Sequence, residues 1–133
     1  MQRFLRSFQV FLVLWTLFLG TSQTVPADQL GVRLLEEAQI LFDSAQYDQA
    51  LQRGQQALEQ FPVGEPSAGQ GLVLLGNIFL ETGQWEAAFQ QYNAALQIFR
   101  QKLGANHLST AEAINHLGEY FYKENDLIKA LPN

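Results

Sequence analysis

The side chains able to do chemistry are few and scattered along the chain. Two histidines, His107 and His116, bracket Glu112, and three such groups on one face would make a metal site. His107, however, precedes the helix expected to carry the other two, so no shared face is expected and no metal is implied. A nucleophilic triad joins Ser or Cys to His and a carboxylate. Near the end of the N-terminal segment or beyond it the serines are Ser22, Ser44, Ser67 and Ser109, and none sits in a strand-turn-helix elbow. Cysteine is absent, which removes disulfides, thiolate catalysis and Cys-based zinc sites together. Gly64, Gly69 and Gly71 lack the spacing of a phosphate loop and the Lys-Ser or Lys-Thr that follows one. Adjacent carboxylates such as Glu36 and Glu37 read as a solvated helix face. Neither an enzyme nor a cofactor is expected, and the chain must act through its surfaces.

Charge narrows the choice of partner. The 133 residues carry a formal charge of -5, and the first 27 hold only Arg3 and Arg6 among charged groups, leaving six basic against thirteen acidic side chains, a net of -7. Binding to nucleic acid releases counterions through clustered Lys and Arg. No such cluster is present, so nucleic acid is excluded as a partner.

The N-terminal segment differs from the remainder. Met1 to Gln9 holds two arginines and no acid, the run from Val10 to Leu19 is apolar throughout, and Gly20, Thr21 and Ser22 end it. A basic start, a short apolar stretch and a small-residue exit match a secretory signal peptide. Ten helical residues cover about 15 Å, half the hydrocarbon thickness of a bilayer, so a membrane anchor is the alternative. Cleavage after Ser22 or after Ala27 satisfies the small-residue requirement. Residues 1–27 are therefore assigned to this segment and 28–133 to the folded domain. Export to the periplasm or the exterior is expected, with membrane attachment only if the segment is retained.

From Asp28 onward Ala, Leu, Gln and Glu recur at helical spacing with few β-branched residues, which favours helix over strand. Three blocks recur in register. Aligned on Ala50, Ala88 and Ala130, they are separated by 38 and 42 residues, a period expected of paired-helix repeats. In the first block Leu34, Ala38 and Leu41 precede Tyr47, Ala50, Ala57 and Pro62. In the second, Leu72, Leu75, Gly76 and Phe79 precede Trp85, Ala88, Tyr92 and Ala95. The third offers Ile114, Leu117, Gly118, Phe121, Leu127 and Ala130. Small residues at matching positions let paired helices approach, and the large ones supply a stripe that one hairpin cannot bury by itself. Gly104 marks a helix end, and Ser109 with Glu112 forms a candidate capping box. The stretch from Pro62 to Gly71 is the clearest connector.

These residues resemble the tetratricopeptide repeat family, whose pattern runs W-x2-L-G-x2-Y, then G-x-Y-x2-A. The second block matches best, through Leu75, Gly76, Phe79, Gly83, Trp85, Ala88, Tyr92 and Ala95. Ala95 to Phe121 is further similar to the longer, 42-residue repeats of kinesin light chains. The resemblance implies an all-α fold, a right-handed α-solenoid of antiparallel hairpins with about two and a half repeats. The first block departs from the pattern at Gly54, where an aromatic is usual, and at Glu37, where Leu is usual, so looser packing is expected there. In the third, a second helix would begin near Asp126, and Pro132 would stop it early.

The resemblance also implies a function, the binding of a protein or peptide on a concave face formed by the first helix of each pair. It places Val32, Leu35, Gln39, Phe42 and Asp43 on that face, then Gln70, Val73, Asn77, Leu80 and Glu81, then Glu112, Asn115, Glu119, Tyr122 and Lys123. Asn77 and Asn115 are candidates to clamp a peptide backbone. Val73 and Leu35 stand where a clamp for acidic peptide tails would carry lysine, so a neutral or basic partner is expected. Exposed apolar residues at the incomplete third block, Leu117, Phe121, Leu127 and Leu131, make self-association a further expectation. The competing reading is an N-terminal regulatory part of a longer enzyme, such as a bacterial caspase-like protein.

Overall fold

The computed structural model describes residues 25–130. Residues 1–24 of the expected signal segment, the expected stop at Pro132 and the contacts of Leu131 and of the Ala130 side chain lie outside the described residues. Five helices follow one another: α1 (Ala27–Asp43), α2 (Tyr47–Gln60), α3 (Pro66–Glu81), α4 (Trp85–Lys102) and α5 (Leu108–Ala130). Among the described residues there is no strand.

Local sequence starts and stops these helices. Pro66 opens α3 at a position where its missing N–H leaves nothing unsatisfied. Asp28 and Glu86 sit in the first turns of α1 and α4, and Arg100 and Lys102 in the last turn of α4, each against the opposite end of the helix dipole. The two hairpin turns are copies of each other. Ser44 and Thr82 donate their hydroxyls to the carbonyls of Ile40 and Ile78, both at 2.9 Å. The next residue adopts a left-handed conformation, Ala45 at φ 57° and Gly83 at φ 76°. The amides of Gln46 and Gln84 then reach back to Leu41 and Phe79 at 2.9 and 2.8 Å. α4 closes in a similar way on Gly104, at φ 96°.

The expected capping box at Ser109 and Glu112 does not form, because α5 begins two residues earlier than that box requires, at Leu108. His107 caps it instead, its Nδ1 accepting from the Ser109 amide at 3.2 Å. Thr110, fully buried, donates its hydroxyl to the Gly104 carbonyl at 2.7 Å and ties the start of α5 to the end of α4.

Each hairpin is closed by an aromatic ring set against a glycine. A Cβ at Gly31 would lie 2.6 Å from the Phe61 ring, and one at Gly69 would lie 2.6 Å from the ring of Phe99. Both members of these pairs are 38 residues apart, so the same lock is built twice. The expected looseness of the first hairpin is not found. Gly54 is buried and Leu75, from the next hairpin, fills its vacancy, 2.9 Å from where a Cβ would stand. Ala38, Ala50 and Ala57 are fully buried beside it, while Glu37 stays at the surface and pairs with Arg53 at 3.5 Å.

The core runs on between hairpins without a break. Ala38, Ala50, Leu74, Leu75 and Ile78 pack together across the first boundary, and Ala95, Leu96, Phe99 and Ala113 across the second. First helices touch one another, α1 against α3 and α3 against α5, whereas α2 and α4 do not meet. The array therefore bends with its first helices on the inner side.

The third block departs from expectation. No turn occurs before Asp126, and α5 runs unbroken from Leu108 to Ala130. Glu124 and Asn125 stand at the places of Thr82 and Gly83, 42 residues on. Without the hydroxyl that takes the last carbonyls, and without glycine to turn left-handed, nothing ends the helix. Gly118 and Phe121, expected to pack against a following helix, are consequently exposed, with Phe121 at 52% and nothing within 4 Å of a Cβ at Gly118.

Candidate partner-binding face

The inner side of the array is lined by α1, α3 and α5. Between α1 and α3 lies a cleft of about 320 Å³ bounded by Val32, Leu35, Glu36, Gln39, Phe61, Ser67, Gln70 and Leu74. It opens into a wider hollow toward the N-terminal end of α1, where Asp28, Gln29, Arg33 and Pro62 join Val32, Glu36, Phe61 and Ser67. The floor is apolar and the rim carries amides, carboxylates and a single guanidinium. Such a lining can hold an apolar side chain while amides satisfy an extended backbone.

Of the residues expected on this face, Gln39, Gln70, Val32 and Leu35 line the cleft. Gln39 donates to Asp43 at 2.8 Å, which orients its carboxamide along α1. Phe42 is half-buried with its ring 5.7 Å from that of Tyr47 and serves the hairpin as much as the surface. Val73 is half-buried and packs against the core that Ala95, Leu96 and Phe99 of α4 form with Ala113 of α5. Leu80 does not line the face. It is buried with Ala88, Tyr92 and Tyr120, because α5 lies across the end of α3 and covers it.

Further along, the inner side is polar and tied together by side chains. Glu81 of α3 accepts from Lys123 of α5 at 2.8 Å, a partly exposed pair that bridges the two helices. Asn77 is not free to clamp a peptide with its carbonyl, since the buried Tyr92 hydroxyl donates to Asn77 Oδ1 at 2.7 Å. His116 stacks on the other side of this assembly, 5.4 Å from Tyr92 with the rings nearly parallel, and its Nδ1 is 3.8 Å from Glu119. Burial pushes the Tyr92 phenol well above its ordinary value, with Glu119 and Glu81 adding to the effect. Glu112, Asn115, Glu119 and Tyr122 are exposed on α5, leaving an acidic excess at this end.

Phe61, Leu74 and Ser67 line the cleft and were not among the residues expected there. Ser67 and Leu74 lie on α3, at its start and middle, while Phe61 belongs to the connector after α2 and enters only because the chain folds back beneath Gly31. Only the pairing of Phe61 with Phe99 at the 38-residue interval pointed to a role for that ring. Among the described residues no group of His, Asp and Glu could hold a metal ion. None of the described helices is long and apolar enough to cross a membrane.

Comparison with curated proteins and with solved structures returns no match. The family comparison does return one: the tetratricopeptide repeat matches residues 67–133, half of the chain, and spans α3, α4 and α5. Two stacked hairpins with the same turn and the same ring-on-glycine lock accord with that match, and the chain belongs to the tetratricopeptide repeat family.

Proposed function

We propose that this protein is exported and holds a segment of another protein on the inner face formed by α1, α3 and α5. A repeat of this family makes it an interaction module, and the cleft between α1 and α3 is the observation that carries the finer reading. Its apolar floor of Val32, Leu35, Phe61 and Leu74 suits a large apolar side chain, and Gln39 and Gln70 stand where they reach a peptide backbone. The carboxylates at Asp28, Glu36, Glu112 and Glu119 outweigh Arg33, which favours a neutral or basic segment. Export rests on the composition of residues 1–27, and the 42-residue step between the second and third blocks supports the longer-repeat variant.

A library of displayed random peptides, panned against the chain, tests the binding reading. Selected peptides should share an apolar anchor flanked by Lys or Arg, and Val32→Glu, at an exposed position lining both hollows, should abolish their capture without changing helicity. Enrichment of acidic peptides, or binding unaffected by Val32→Glu, would overturn it. Export is tested on the native protein by its first residue, expected near Gln23 or Asp28; a chain that keeps Met1 contradicts cleavage.

A further inference from the structure

The exposed side of α5 carries a second regular pattern. Ala111, Ile114, Gly118, Phe121, Asn125 and Ile128 follow one another at spacings of three and four, and all six are exposed. That alternation is the seam of a coiled coil, two positions in every seven. In α3 the residues 42 positions earlier, beginning with Gly69, Leu72 and Gly76, face α4, whose Phe99 and Tyr92 rings sit on the two glycines. On α5 no following helix lies against the same stripe among the described residues, although Phe121 touches Phe89 of α4. Since α5 does not turn at Asn125, Asn125 and Ile128 lengthen the stripe beyond its counterpart in α3.

We propose that this stripe pairs with the same stripe of a second copy, the two α5 helices running antiparallel about a two-fold axis. Side-chain sizes select that occupant and that direction. Antiparallel pairing sets each position of one heptad class against the other, so Gly118 meets Phe121, Ala111 meets Ile128 and Ile114 meets Asn125. Every layer then joins a large residue to a smaller one. A parallel pair would set Gly118 on Gly118 and Phe121 on Phe121, alternating empty and overfilled layers, which close packing does not tolerate.

Phe121 is already oriented for the task, its ring held edge-on by Phe89 at 5.9 Å and by Tyr120 at 5.2 Å. One surface complementary to itself closes into a dimer rather than a filament. The stripe lies about a third of the way round α5 from Glu112 and Glu119, counting about 100° per residue, so this proposal does not rest on the peptide-binding reading.

Sedimentation of the 133-residue chain from micromolar to millimolar concentration tests it. A monomer–dimer equilibrium is expected. Gly118→Glu should weaken it at least about tenfold without loss of helicity, because that side chain meets nothing within its own copy. Phe121→Glu should do the same. Spin labels on Glu119→Cys and Lys129→Cys, in a chain with no other cysteine, read the direction. Antiparallel pairing brings the labels at 119 level with each other and sets those at 129 about 30 Å apart along the axis, given about 1.5 Å of rise per residue. A chain that stays monomeric, a dimer indifferent to Gly118→Glu, or equal separations for the two labels would each overturn the proposal.

Discussion

The ring of Tyr92 lies against Gly76 so closely that a Cβ on Gly76 would stand 2.5 Å from its Cε1 atom. The phenol, fully buried, then reaches past α3 to donate to Asn77. One ring thereby fills the middle of the second hairpin and fixes an amide on its inner face. Gly76→Ala cannot be absorbed by moving the end of a flexible side chain, because the ring is enclosed. A loss of about 1–3 kcal/mol is expected, the usual cost of overpacking, and a urea midpoint checks it. An unchanged midpoint would mean that the ring has another place to go.

The Tyr92 phenol also sets an alkaline limit. Burial raises its pKa in the folded chain above the ordinary 10.0, so the folded state holds the proton more tightly than the unfolded one. Its contribution is complete below the unfolded value and is lost as pH rises above it. Stability should therefore fall above about pH 10, by up to about 1.4 kcal/mol per unit. Tyr92→Phe should flatten that fall while costing about 1 kcal/mol at neutral pH, when Asn77 loses its donor. Part of the slope should remain in that variant, since burial raises the Tyr120 phenol as well. Thermal unfolding from pH 8 to 11 distinguishes the two proteins.

Ala45 holds a backbone conformation that its counterpart Gly83 adopts without strain. Ala45→Gly should stabilise the protein by about 1 kcal/mol, the left-handed penalty of a Cβ less the greater entropy of unfolded glycine. Gly83→Ala should destabilise it by a similar amount. Opposite shifts in unfolding midpoint are the expected pair of results, and shifts of the same sign would show that the two turns are not equivalent.

Thr110 and Gly104 hold the last helix to the array. Thr110→Val keeps the buried volume but removes the hydroxyl's bond to the Gly104 carbonyl, which retains the His107 amide as a donor at 3.3 Å, and a loss of about 1 kcal/mol is expected. Because the bond joins the end of α4 to the start of α5, the loss should appear first in the amides of α5. Hydrogen exchange that quickens evenly through all five helices would contradict this placement.

The hairpins were legible because everything that makes them is local. Helical spacing, the 38-residue recurrence of Ala50 and Ala88, and the small and hydroxylic residues near positions 44 and 82 lie within a few residues of the turns they build. Their hydrogen bonds span three to six positions, so sequence order already carries the geometry. The inner face was legible in part for the same reason: Gln39 and Gln70 face inward because helical phase puts them there.

Leu80 leaves the inner face and Phe61 enters its cleft because neither position is decided by its own helix. Leu80 is covered only when α5 crosses α3, and Phe61 enters the cleft only when α2 folds back against Gly31. Gly54 is a gap by pattern and close-packed in fact, since Leu75 arrives from the next hairpin. The missing turn in α5 was instead a local matter, since Glu124 and Asn125 stand where Thr82 and Gly83 end α3. Sequence by itself determined a helical repeat with its period and its turns, because those follow from neighbours along the chain. Which apolar residues become core and which remain as surface was decided by the tertiary structure, because burial depends on the helix that comes to lie opposite.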